Sequence, residues 1–146
     1  MADVVSTGEA FSSTGALREV WPVTSEVAVG TALLNGIRAG VAYTNSGGFS
    51  RVDAISGAPV TFTGIPAGGI GLDALKASVA TDGSYEFPVV GAGVATANGV
   101  SVYAVVATGK VTGLTLTLGT NTLWGVVNNP TDYVAASGVA CVKIGV

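Results

Sequence analysis

The chain has 146 residues, enough for one domain that buries about two-thirds of its unfolded surface without a disulfide or metal staple. Its 6 basic and 9 acidic side chains leave a net charge of −3 and there is no histidine, so both a basic footprint for nucleic acid and the commonest catalytic base are missing. The single cysteine, Cys141, excludes an internal disulfide, while 24 valines, 16 threonines and 5 isoleucines beside 22 glycines read as short strands joined by tight turns.

Residues 1–26 differ from the rest. They hold four of the nine acids (Asp3, Glu9, Glu19, Glu26), a Ser/Thr/Gly stretch through Ser12, Ser13, Thr14 and Gly15, and isolated large residues at Phe11, Leu17 and Trp21. Neither strand nor helix periodicity is sustained, which predicts an extended N-terminal arm outside the main core; a first edge strand with a short helical turn over Ala16–Val20 is the alternative. Trp21, beside Pro22, has little local core of its own, and burial by another chain would account for it. The start of the chain lacks the basic residues and apolar core of a secretory signal, so the expectation is synthesis in a cytoplasm, with Cys141 a free, buried thiol.

From residue 27 onward turn signals recur roughly every 9 to 16 residues, at Asn35-Gly36, Asn45-Ser-Gly-Gly48, Ser56-Gly57, Pro66-Ala-Gly-Gly69, Asp82-Gly83, Asn98-Gly99, Thr108-Gly109, Gly119-Thr-Asn121 and Asn128-Asn-Pro130. That spacing predicts an all-β domain over 27–146, a β-sandwich or barrel. Val60-Thr-Phe-Thr63 and Leu114-Thr-Leu-Thr-Leu118 alternate as strands with one face in a core. Val79–Phe87 reads as two strands on an Asp82-Gly83 hairpin. Over 71–79, Leu72, Leu75, Lys76 and Val79 fall at helical spacing, so one short helix fits there as well as a strand does. In Val102–Ala107 both faces are apolar: Tyr103, Val105 and Ala107 on one, Val102, Ala104 and Val106 on the other. Both should be covered, and together with the shortage of charge this predicts a homotrimer with Tyr103, Val105 and Ala107 in its interface.

Chemistry is scarce. Mean hydropathy is high, yet the densest apolar run is far shorter than the about 20 residues of a spanning helix, and no membrane partner is expected. The carboxylates are scattered and follow no calcium-loop spacing, and Cys141 sits in the strand-like Ala-Cys-Val-Lys-Ile, which reads as a core thiol. Gly91-Ala-Gly93 lacks the third glycine of a dinucleotide fingerprint, and Gly109-Lys110 is followed by Val111 where a phosphate loop needs Ser or Thr. The reading is therefore no catalytic residue, no metal and no cofactor. Arg18, Arg38 and Arg51 are read as solvated, or else as interface partners, and Trp124 as core, with a ligand platform as the alternative.

The order of short motifs resembles the small decoration, or capsid cement, proteins of tailed bacteriophages. The resemblance runs from Ser25-Glu-Val-Ala-Val-Gly30 and Ala39-Gly-Val-Ala42, through Val79-Ala-Thr-Asp-Gly-Ser-Tyr-Glu-Phe-Pro88, Gly99-Val-Ser-Val-Tyr103 and Gly109-Lys-Val-Thr112, to Leu123-Trp-Gly-Val-Val127 and Val139–Ile144. The chain departs from that pattern at Val100, where an acid is usual, and over residues 46–70, which look like additional sequence. What the resemblance implies is a β domain that trimerises on the outer surface of a virion, at threefold and quasi-threefold positions, and cements the major capsid protein against the pressure of packaged DNA. The arm would then be the strap, with Phe11, Leu17, Arg18 and Trp21 binding the capsid. A competing class is a host- or glycan-binding surface or fibre module using Trp124 or Tyr133 as a stacking face.

Overall fold

The valine- and threonine-rich segments form strands and the glycine-containing dipeptides turn them. The computed structural model describes residues 8–11, 18–23, 27–43, 48–52, 55, 59–66, 76–134 and 136–145. Twelve strands are found among these: β1 (Gly8–Phe11), β2 (Arg18–Pro22), β3 (Ala32–Asn35), β4 (Arg38–Ala42), β5 (Gly48–Val52), β6 (Pro59–Pro66), β7 (Lys76–Ala80), β8 (Gly83–Pro88), β9 (Ser101–Ala107), β10 (Lys110–Thr115), β11 (Thr122–Val127) and β12 (Val139–Ile144). The described residues contain no helix. The short helix that fitted 71–79 is replaced over Lys76–Ala80 by β7, and 71–75 lie outside the described residues.

Six strands form one sheet in the order β1-β8-β12-β11-β9-β10, with every neighbour antiparallel. The sheet curls far enough to meet itself. Val90, just beyond β8, bridges Thr115 at the end of β10, its N–H donating to Leu114 O at 2.9 Å and its carbonyl accepting from Leu116 N at 3.1 Å. Bulges in β10 and β11 assist the curl, since an extra residue on one strand bends it. A second sheet, β2-β7-β4-β3, packs β3 against β10 and β4 against β11. The fold is thus all-β, two curled sheets in a barrel-like sandwich. β5 and β6, within the stretch that looked additional, pair only with each other among the described strands.

The main core is filled by Phe87, Val102, Leu114, Val127, Val142 and Ile144 from the larger sheet, with Ala32, Val41 and Ala80 from the smaller. The smaller sheet is apolar on both faces. Val41 opposite Ala80 faces the main core, whereas Ala42 opposite Val79 turns the other way, into a second cluster with Trp21, Val27 and Ala77. Alternation along a strand makes this possible: one residue's step moves a side chain through the sheet.

Two sequence expectations change in the strands just described. Asp82-Gly83 is not a hairpin turn: β7 and β8 belong to different sheets, and the dipeptide is the corner between them. Both edges of β8 are taken by β1 and β12, which leaves none for β7. Gly83 supplies a φ of +101° and Tyr85 Oη donates to Asp82 O at 2.9 Å, fixing the corner. In Leu114–Leu118 the strand ends at Thr115; Leu114 and Thr115 are both buried and Leu118 is exposed, so the expected two-faced pattern stops where the chain turns to receive Val90.

Candidate interaction surface

Two stretches of the expected arm, Gly8–Phe11 and Arg18–Pro22, are strands of the two sheets. β1 is the outer strand beside β8 in the larger sheet and β2 the outer strand beside β7 in the smaller. Phe11 pairs with Ser84 and Arg18 with Ala80, which puts two of the four expected anchors on different sheets; Leu17 lies outside the described residues. Trp21 is 2% exposed, covered by its own chain, and this corrects both its expected burial by another chain and the assignment of Arg18–Pro22 to an arm outside the core. Its ring lies over Gly40, where an added Cβ would come within 2.7 Å of it. The absent side chain of Gly40 makes the room, a signal that required knowing which strand lies beside β4.

Two charged side chains complete the cover over Trp21. Glu19 Oε2 accepts from the indole Nε1 at 3.0 Å, Arg38 stacks its guanidinium 5.6 Å from the ring centroid, and the two charged groups form a two-bond pair at 2.8 and 2.6 Å. The Arg38 hydrogen bonds, with the Trp21 bond second, hold the Glu19 carboxyl down to about 2. Arg38 is therefore neither simply solvated nor reserved for a partner chain. The pair is more than one-third exposed on both sides, so solvent screens it and its role is to orient Trp21 rather than to supply much energy.

On the larger sheet, Val102 and Ala104 of β9 are buried and Tyr103, Val105 and Ala107 half-buried on the outer face. Leu123 lies opposite Tyr103 and is half-exposed. Val106, expected under cover, is exposed, although Val111 opposite it on β10 is buried in the main core. The outer face of β9 and β11 thus carries an aromatic–aliphatic pair at hydrogen-bonded neighbours, with Ile37, 85% exposed, and Leu123 lining one groove of about 700 Å³. A second cavity of about 340 Å³ runs between β3 and the β9–β10 turn, lined by Trp21, Leu33, Val106 and Lys110 among others.

The tryptophan considered as a platform is inside. Trp124 is the extra residue of the β11 bulge and turns into the core, where Phe87 meets it edge-on at 5.2 Å. Its indole Nε1 donates to Leu33 O at 2.9 Å, so neither ring face nor N–H is offered to a ligand. Tyr133 Oη donates to Glu86 Oε2. Burial, then that bond, push the Tyr133 hydroxyl well above its ordinary range. Burial likewise raises the Cys141 thiol, against the lowering bond from Tyr133, and a neutral buried thiol is a poor nucleophile.

Asparagines expected only as turn residues form a network. Asn98 Oδ1 accepts from Asn129 N at 2.8 Å while its Nδ2 donates to Asn129 O at 3.1 Å. Asn129 Oδ1 accepts from Cys141 N at 2.9 Å, and Asn128 Nδ2 donates to Ser84 Oγ at 2.9 Å. These bonds fasten the loops around residues 98 and 129 to β8 and β12. Among the described residues no three His, Cys, Asp or Glu side chains converge as metal ligands would, and no helix is long and apolar enough to cross a membrane.

The fold defines an all-β module of two curled sheets. The chain matches no protein-family model, no curated protein and no solved structure.

Proposed function

We propose that this chain is a structural protein of a bacteriophage head, a decoration protein that binds the outer capsid surface as a homotrimer and bridges neighbouring major capsid subunits. The observation that carries the reading is the outer face of β9 and β11, where Tyr103, Val105 and Ala107 are half-covered beside exposed Leu123, on a chain with only 15 charged side chains. The ordered motif series from Ser25 to Ile144 gives the second support. In this reading Tyr103, Val105 and Ala107 meet their symmetry copies, since obligate interfaces resemble a core cut in half.

The mechanism is differential binding. A clamp that prefers the expanded head lattice over the immature one stabilises the former by mass action, and three copies linked in a trimer raise avidity without any single strong contact. Trp21 has no part in capsid contact here, because its own chain already covers it. The test is co-expression with the capsid protein encoded beside its gene, followed by sedimentation of the heads and light scattering of the free protein. Saturable co-sedimentation and a trimeric mass are expected, with Tyr103→Asp lowering the mass to that of a monomer. The lack of an adjacent capsid gene, or heads that sediment bare, would overturn the proposal.

A further inference from the structure

Two Asn-Gly dipeptides occur in the chain, Asn35-Gly36 and Asn98-Gly99. In this dipeptide the glycine's lack of a Cβ lets its backbone nitrogen reach the preceding side-chain amide, so both are chemically competent for the same spontaneous reaction. The tertiary structure treats them differently. The Asn98 side chain is held at both ends by Asn129, and Gly99 N, the atom that would attack, donates to Val127 O at 2.8 Å. Asn35 is exposed at the end of β3, where Gly36 (φ +64°) and Ile37 form the two-residue loop that returns to Arg38. Neither a hydrogen bond of the Asn35 side chain nor a backbone bond from Gly36 N is found among the described residues.

The geometry points to Asn35 as a site of spontaneous deamidation, with Asn98 protected by the fold. Gly36 N attacks Cγ of Asn35; the N–Cγ bond forms, the Cγ–Nδ2 bond breaks, and Nδ2 leaves as ammonia with the proton lost by the attacking amide. Water then opens the five-membered imide at either carbonyl, giving an aspartyl or an isoaspartyl residue. A carboxylate appears opposite Arg38, the cation that Glu19 holds over Trp21. The isoaspartyl product also adds a backbone methylene at the Asn35–Arg38 pair and so disturbs the turn that displays Ile37.

The experiment is incubation of the folded protein in mildly alkaline buffer, then trypsin digestion and mass spectrometry. Peptides 19–38 and 77–110 each contain a single asparagine, Asn35 and Asn98 respectively, so the two sites report separately. Asn35 is expected to convert faster by on the order of tenfold or more, because freeing Asn98 and Gly99 breaks three hydrogen bonds, each worth a few-fold in population. In strong denaturant the two rates should converge. Equal native rates, a faster Asn98, or no conversion at Asn35 would overturn the assignment.

Discussion

The indole N–H of Trp124 donates to the Leu33 carbonyl oxygen across 2.9 Å and 91 positions of sequence, tying β11 of the larger sheet to β3 of the smaller. The same ring packs edge-on against Phe87, so one side chain contributes to core packing and to the junction between sheets. Trp124→Phe keeps an aromatic ring and leaves Leu33 O without its donor. Urea denaturation should show a loss of about 1–3 kcal/mol, against about 3–5 kcal/mol for Trp124→Ala. A Trp124→Phe variant as stable as the parent would mean that the hydrogen bond contributes nothing.

Gly40 and Gly113 make a matched pair. A Cβ at position 40 would collide with Val79 Cγ1 and the Trp21 ring, whereas a Cβ at position 113 meets nothing within 4 Å. Gly40→Ala should therefore cost about 1–3 kcal/mol through overpacking, and Gly113→Ala should stay within about 0.5 kcal/mol of the parent. Similar denaturation midpoints for the two variants would show that Trp21 does not sit over β4.

Deleting residues 1–24 removes β2 with Trp21 and uncovers Ala42, Ala77 and Val79. Loss of a buried tryptophan alone is worth about 3–5 kcal/mol, a large share of a small domain's stability of about 5–15 kcal/mol. The truncated protein is expected to lose most of its cooperative thermal transition. Retention of the parent's melting temperature would place these residues outside the core after all.

Thr108 holds a φ of +51° and precedes Gly109 at +78° in the loop between β9 and β10, the two left-handed positions of a type I′ turn. A β-branched residue pays for that conformation with roughly 1–2 kcal/mol. Thr108→Asn should raise stability by about 0.5–1 kcal/mol, because the bond it loses, from Thr108 Oγ1 to Ala107 O, is exposed and replaced by water. An unchanged or lower midpoint in guanidinium would count against strain at this turn.

The Glu19 carboxyl is lowered from its ordinary 4.5 to about 2 by Arg38 and Trp21. Its contribution to stability is therefore complete above pH 4.5 and is lost as the pH falls towards 2. Thermal melts of the parent should fall more steeply across that interval than those of Glu19→Gln. High salt should shrink the difference, because the pair is exposed. Parallel curves for the two proteins would exclude an effect of the pair on stability.

Much of the architecture was legible because it rests on local physics. Strand positions from Ser101 to Ile144 follow β-branched runs between glycine turns, and the Thr108-Gly109 and Asn35-Gly36 turns lie where the dipeptides place them. Pairing partners were not legible. Asp82-Gly83 has the composition of a hairpin and serves as a corner, since occupancy of the β8 edges is settled by β1 and β12, far away in sequence. The asparagine network was likewise hidden, because an asparagine in a turn and one bridging two loops look alike until the loops meet.

The sequence by itself determined the class of fold and the poverty of reactive groups, both consequences of composition and short-range periodicity. Only the tertiary structure decided that Trp21 belongs to its own subunit, that Trp124 faces inward and that one Asn-Gly is locked while the other is open. Each of these depends on a surface contributed by residues distant in the chain, and burial and hydrogen bonding are properties of that shared surface rather than of any segment.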